Sequence, residues 1–413
     1  MMNRRLIALL LITLLVLGGG LILNGRQNPT PADASASGPL VPTLVGKLND
    51  VSTLKIIGAN SSVIAELARR EDHWVVVGKS GYPADIARIR EYLIKLGDAR
   101  LREAKTAKPE NYGRLGVSDL SATDAKGIGV ELIGLEKPVS LIVGISSGGG
   151  TPGTFVRRAG EPVSYLVNGD LVPEKEASNW LNKTILDVPA AQVRRVTISA
   201  PDGAVLSAEK ADPNAFNYSV IDLPKGAQLS SESAANLLAG VLASLTLEDV
   251  IPAGEAAPDL QSWKATYTSY EGLVVETTLW DKDDKSHARF VAHVDEPQLD
   301  AWVASQATKA DSARVAAQAA AAQKKAPPPE AKPGDPPTIA ANPADAAAAL
   351  PPPFEADKTK AAKRAELEKQ ALEINQRTEN WTYVIPSFKA INIKKKLSDL
   401  LMSKEAAAPP APK

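Results

Sequence analysis

Val51-Ser-Thr-Leu54-Lys-Ile56 returns 142 residues later as Val193-Arg-Arg-Val196-Thr-Ile198, and at the same offset Asn60-Ser-Ser-Val63-Ile64 returns as Asp202-Gly-Ala-Val205-Leu206. In each copy apolar residues alternate with polar ones, which sends side chains to the two faces of a sheet in turn, and an Asn/Asp–Gly/Ser group breaks the run with turn chemistry. Each copy therefore reads as strand, turn, strand. A third strand opens on an aromatic in both, Trp74-Val-Val and Tyr218-Ser-Val. Self-similarity at one fixed spacing predicts a module used twice, at 46–190 and 191–402.

A helix is expected next in each module. In the first, Pro83 stands where a helix can begin and Gly97 where it can stop, with Ile86, Ile89, Leu93 and Leu96 on one face and Arg88, Arg90, Glu91 and Lys95 on the other. In the second, Ser230 or Ser231 can cap a helix whose apolar stripe is Leu237, Leu238, Val241, Leu242 and Leu245. With Trp74 and Tyr218 these stripes form the two expected cores. A strand-rich half comes after the helix in each module. The first holds 129–133, 139–144, 154–158 and 163–167, then a helix through Trp180 and Leu181; the second holds 264–270, 273–280, 288–294 and 381–385, then a helix through Leu397, Leu400 and Leu401. Strands dominate and helices pack on them, so the class is α+β with largely antiparallel sheets.

The remaining length has other uses. Arg4 and Arg5 precede Leu6–Leu23, a run without a charge whose 18 residues at ~1.5 Å each give ~27 Å, enough to cross a bilayer core. The basic pair should stay in the cytoplasm and place the rest of the chain outside it. A cleaved signal peptide competes with this reading, but its apolar region is usually shorter, and Ala34-Ser35-Ala36 lies beyond a polar gap. The expectation is a signal-anchor transmembrane helix at 1–23, in a bacterial inner membrane with the body in the periplasm. Residues 24–45, rich in Pro, Ser, Gly and Ala, read as a flexible tether, and 403–413 as a disordered tail. The second module is interrupted at 305–355, where 18 Ala and 10 Pro among 51 residues leave too little to build a core. Helix formers flank it at 301–325 and 357–378, with Trp302 and Leu367 as the apolar anchors. Both a solvated surface insertion and a charged helical arm reaching for a partner fit this pattern.

Composition narrows the function by exclusion. At roughly 150 residues per domain, 413 residues allow two or three domains. Forty-seven Lys and Arg against 48 Asp and Glu leave a net charge of −1, so no whole-chain field draws nucleic acid. The absence of cysteine removes disulfides, thiol catalysis and zinc–thiolate sites.

Four local patterns invite a chemical reading. Gly144-Ile-Ser146-Ser-Gly148 matches a nucleophile elbow, but Gly149-Gly150-Thr-Pro152-Gly153 cannot begin the helix that an elbow needs. His73-Trp-Val-Val-Val-Gly78-Lys79-Ser80 resembles the end of a phosphate-binding loop, yet a Trp-Val-Val-Val strand cannot curl its amides around phosphate. His287 and His293 are six apart, so a strand would put them on one face, where packed or solvated strand residues are the default. Asp281, Asp283 and Asp284 suggest a calcium loop but lack its glycine and its twelfth-position glutamate, which here is Ala292. No catalytic, cofactor-binding or metal-binding residue is nominated, and no cofactor is implied.

The ordered set Trp74, Tyr82-Pro83-Ala84-Asp85, Leu93, Leu96, Tyr112-Gly113-Arg-Leu115-Gly116, Leu141-Ile-Val-Gly144, Phe155-Val-Arg157 and Val163-Ser-Tyr165-Leu-Val167 resembles the domain-of-unknown-function family 4340 (DUF4340). The resemblance covers about 46–190 well and 191–402 more faintly. It departs from the pattern at Tyr112–Asp119, where the family commonly has Tyr-Gly-Leu and then Pro, and in the Ala/Pro insertion. It implies a membrane-tethered extracytoplasmic protein associated with auxiliary components of gliding-motility-type ABC transport systems, with no family catalytic residues to transfer. The expected function is a non-catalytic accessory protein of an envelope ABC-type transport complex, not an enzyme. Its partners would be the inner membrane and permease or auxiliary subunits, and no nucleic acid. The alternatives are a cell-wall or glycan-binding protein using Trp263 and Trp280, and a serine hydrolase using Ser146.

Overall fold

The computed structural model describes residues 38–148, 152–324 and 352–402. The chain divides into two compact units after Asn182. The expected transmembrane segment Leu6–Leu23 and the tail 403–413 lie outside the described residues. Among the described residues no helix is long and apolar enough to cross a membrane.

The first unit holds β1 (Thr53–Ile57), β2 (Val63–Arg70), β3 (His73–Val76), β4 (Tyr82–Pro83), α1 (Ile86–Asp98), β5 (Leu101–Thr106), α2 (Tyr112–Leu115), β6 (Ile128–Ile133), β7 (Val139–Ser146), β8 (Gly153–Arg158) and β9 (Ser164–Asn168). Its strands form one antiparallel sheet in the order β4-β3-β2-β1-β6-β7-β8-β9-β5. The second unit holds β10 (Thr184–Leu186), β11 (Val193–Ser199), β12 (Val205–Glu209), β13 (Ser219–Val220), α3 (Asn236–Ala239), β14 (Leu245–Thr246), β15 (Asp249–Pro252), β16 (Trp263–Ser269), β17 (Leu273–Lys282), β18 (Lys285–Val294), α4 (Glu296–Lys324), α5 (Ala356–Thr378), β19 (Trp381–Ile385) and α6 (Ser387–Ile393). Its main sheet runs β13-β12-β11-β16-β17-β18-β19-β15, again antiparallel throughout. Apart from the extra β4, the two orders correspond strand for strand. The architecture is α+β. Residues 183–190 go with the second unit because β10 pairs with β14.

The correspondence extends to how each unit closes. In the first, the amide of Asp85 donates to the carbonyl of Trp180 at 2.8 Å and that of Asn182 to Pro83 at 3.0 Å. In the second, Ser230 donates to Leu400 at 2.8 Å and Met402 to Gln228 at 2.9 Å. Each unit thus returns its C-terminal segment to the residues just ahead of its helical region.

Several expectations change in the structure. Residues 38–45, assigned to the tether, are built into the first unit: Leu40, Val41 and Leu44 are buried, and Leu40 and Leu101 pair backbone with Ala99 and Gly38. Pro83 lies in β4, and α1 starts one turn later, where the Asp85 carboxylate accepts from the Arg88 amide at 3.1 Å. Ile89, Tyr92, Leu93 and Leu96 are buried, but Ile86, as the first helical residue, is 49 % exposed. The long second helix is not formed. Only α3 is α-helical, because Gly240 and a positive φ at Ser244 break the run. Leu238, Val241, Leu242 and Leu245 are still buried by irregular turns, while Leu237 is 64 % exposed. The segment through Trp180 is a 3-10 turn at Ala177–Trp180, and the segment after β19 is α6 followed by a 3-10 turn at Leu397–Leu400. Residues 305–324, placed in the low-complexity insertion, are helical in α4, in keeping with the helix formers read at 301–325, and 325–351 lie outside the described residues.

In the first unit Leu54, Ile56, Leu67, Val130, Leu132, Leu141, Val143 and Val156 point to one face of the sheet and are buried. The other face carries Ile142, Gly144, Phe155 and Arg157, and the Tyr112–Leu120 segment lies on it, with Tyr112, Val117 and Ile142 buried together. Gly116 ends α2 in the left-handed region at φ 70°. A Cβ on Gly144 would come within 2.1 Å of the Leu115 carbonyl oxygen, so the loop sits on bare strand backbone. Arg157 is buried there. Its Nε donates to Val117 O at 2.8 Å, its Nη1 to Glu161 O at 3.2 Å and its Nη2 to Asp119, and its guanidinium lies 4.5 Å from the Tyr112 ring centroid. The family-like Tyr-Gly-Arg-Leu-Gly segment is therefore a second packed layer.

This packing makes two substitutions informative. Leu93→Ala should lose ~2–5 kcal/mol and lower the thermal midpoint. Gly144→Ala should lose about 1–3 kcal/mol by pushing the loop off the strand, whereas Gly148→Ala, whose Cβ meets nothing within 4 Å, should be near neutral in the same melting experiment.

Candidate functional site

In the first unit β8 ends at Arg158 and β9 begins at Ser164, a tight connection. The corresponding β18 and β19 are separated by the whole of α4 and α5. The two units thus differ at this connection, and a cavity lies beside it.

The elements around it are placed by backbone needs. β18 pairs with β19 only over Ser286–Ala288, so its outer edge beyond Ala288 has no strand partner among the described residues. α5 covers that edge. The Asn375 side chain accepts from the Ala292 amide and donates to the Ala292 carbonyl, both at 2.8 Å, and Thr378 Oγ1 donates to Phe290 O at 3.0 Å. Leu367 and Ala371 are buried on the same helix. α4 is tied to α5 near its start: Lys360 meets Asp300 at 2.5 Å and Arg364 meets Glu296 at 2.8 Å. Beyond this root α4 continues along the cavity, which Ser305, Gln306 and Lys309 help to line.

The cavity, about 800 Å³, is lined by α4, α5, the β16–β17 turn and the residues around β11 and β12. Its base is a fixed polar network. Arg194 pairs with Glu209 at 2.9 Å and donates to Gln298, whose amide donates to Tyr270 O at 2.7 Å. The Tyr270 hydroxyl donates to Lys210 O at 2.6 Å, and its own pKa is raised, mainly by burial. Burial opposes the charge on Glu209, but the Arg195 and Arg194 guanidiniums outweigh it and hold the carboxyl below its ordinary range. On the α5 wall Lys363 reaches Glu271 at 3.0 Å and Glu366 at 2.8 Å and lies 5.2 Å from the Trp302 ring centroid. Burial lowers the Lys363 pKa, and the two carboxylates reverse this and raise it. The arrangement has the parts of a binding site: half-buried aromatic surface, fixed charges, and amide side chains facing open volume.

The patterns singled out in the sequence lie elsewhere. Ser146 ends β7 in a hairpin with β8, exposed, with its hydroxyl 3.5 Å from Asp170 Oδ1. His73–Val76 is a strand followed by a turn at Val77–Lys79, with Ser80 in the left-handed region. His287 is buried against Trp280, its ring 5.9 Å away and nearly parallel, while His293 is exposed about 20 Å further along β18. Asp283 and Asp284, both at positive φ, form the two-residue turn between β17 and β18. Asp281 bonds Lys394 at 2.5 Å and Ser286 at 2.8 Å. Among the described residues no group of three His, Asp or Glu is placed to hold a metal ion. Trp263 pairs with Leu279, so Trp280 points to the opposite sheet face, and the two form no common platform. The residues that do converge, Arg194, Tyr270, Gln298, Trp302 and Lys363, were not nominated together. Trp302 stood out as an anchor, but the others carry no local signature.

Because Glu209 has a depressed pKa in the folded state, its stabilising pairs are present above the ordinary glutamate range, near 4.3, and are lost as pH falls through the folded value. Glu209→Gln should therefore lose about 1 kcal/mol at neutral pH, a shift of ~2–4 °C in thermal midpoint, and the difference from the parent should close as pH falls through the lowered folded-state pKa of Glu209.

Residues 74–262 match the family model described as Domain of unknown function (DUF4340). No curated protein and no solved structure matches the chain. The match starts at Trp74 in β3, runs through the division between the units, and stops just before β16, so α4 and α5 lie outside it. Over residues 74–262, a little under half of its length, the chain is thus similar to the DUF4340 family, which is defined by a domain of unknown function.

Proposed function

We propose that this protein is a non-catalytic accessory subunit of an envelope ABC-type transport complex. In this reading Leu6–Leu23 anchors it in the inner membrane, and both units lie in the periplasm, where the α4–α5 arm contacts a transporter subunit. The observation that carries the reading is the arm. α4 has no buried residue from Ala304 to Ala320, a stretch of about 25 Å, although its root is held by ion pairs and buried side chains. A long helix with no fully buried residue along this stretch, on a unit otherwise built like its neighbour, is suited to contact another protein. The basic pair and apolar run at the N-terminus support the membrane tether. The family resemblance supports the transport setting.

Affinity purification of the tagged full chain from detergent-solubilised membranes tests the proposal. An ATPase or permease subunit should accompany the protein. Recovery should fall several-fold in an Arg314→Glu/Val315→Asp variant, whose sites are exposed on α4, without a change in thermal midpoint. Recovery of neither subunit with the parent chain refutes the reading.

A further inference from the structure

We infer that the cavity between α4, α5 and the end of the second sheet is a binding slot for an extended, largely uncharged polypeptide segment. This assignment does not depend on which complex the protein joins.

The charges in the cavity are mostly spoken for. Arg194 is neutralised by Glu209, and Lys363 by Glu271 and Glu366. A phosphate, nucleotide or carboxylate ligand would have to break these pairs, and the exposed Lys309 at the rim would meet it alone. What faces the open volume with hydrogen-bonding capacity to spare is amide. Gln370 makes one bond at 3.3 Å to Glu366 and Gln306 one at 3.5 Å to Ser305, both through nitrogen, so their carbonyl oxygens remain available. Gln192 lines the same space.

A carboxamide presents a donor and an acceptor in one plane, matching the amide and carbonyl of a peptide unit. The second unit already uses this pairing twice. Asn375 closes both bonds on Ala292 at the β18 edge, and Asn236 accepts from the Tyr218 amide at 2.9 Å and donates to Phe216 O at 3.3 Å. The cavity glutamines offer the same chemistry to a chain from outside. Half-buried Trp302 supplies apolar surface for a side chain that an extended segment turns toward it, with Leu273 and Leu367 buried behind the wall. The slot exists only where the duplicated sheet carries its insertion, since α4 and α5 form two of its walls.

The test uses the full-length protein in detergent, immobilised and panned against a random-peptide phage library. Panning should enrich peptides poor in charge. A synthetic peptide of the enriched sequence should bind the parent chain and bind Trp302→Ala/Gln370→Ala at least about tenfold more weakly. A copy of the synthetic peptide carrying a single benzophenone should, on irradiation, mark the parent chain at residues around 298–309 and 363–370. Should the double variant fail to fold, the crosslink map decides alone. Failure to enrich any peptide, binding indifferent to the double variant, or crosslinks mapping elsewhere overturns the assignment. So does saturable binding of tetra-N-acetylglucosamine in place of peptide, lost in the same variant, which would make the slot a saccharide site.

Discussion

Ala292 presents its amide and carbonyl to an edge of β18 that no described strand covers, and the pairing of both with Asn375 shapes the second unit. A backbone donor and acceptor left unpaired beside a packed core are costly, and an open strand edge invites association with other chains. Here a helix side chain completes the ladder. Once Asn375 and Thr378 fix α5 along the edge, Leu367 is buried, Lys363 is brought to Glu271, and Trp302 of α4 comes beneath Lys363. The cavity follows from the edge: without α5 held there, it would lack a wall.

The first unit shows the same sheet with that constraint absent. β8 and β9 pair over five residues, from Gly153–Asn168 to Arg157–Ser164, so no helix is required at the equivalent place. The unit adds its second layer on a sheet face instead, where the Tyr112–Leu120 segment packs on Gly144 and is pinned by Arg157. One strand order thus supports two elaborations, one sealing a face and one sealing an edge, and the second has an open cavity of about 800 Å³ beside it.

This division bears on the family assignment. The matched region ends before β16, so the arm lies outside it, whereas Arg194 and Glu209 at the base of the cavity lie within it.

The strand pattern and its duplication were legible in the residues alone, because alternating polarity and turn residues act locally: Leu54 and Ile56 are buried in β1, as Val196 and Ile198 are in β11. The sequence also marked the helix of the first unit, whose stripe Ile89, Leu93 and Leu96 has the period of an amphipathic helix. Periodicity alone misjudged the second helix, since Leu238, Val241, Leu242 and Leu245 reach the core through turns, and burial asks only for position, not for a regular backbone. Composition marked 305–324 as both low-complexity and helix-forming, and the helix forms because it needs no apolar face where its root is anchored elsewhere. The candidate site was the least legible part. Arg194, Tyr270, Trp302 and Lys363 come from segments up to 169 positions apart, and none has a motif. Only tertiary structure brought them together, because their meeting depends on β19 leaving β18 early and on an amide side chain closing the gap.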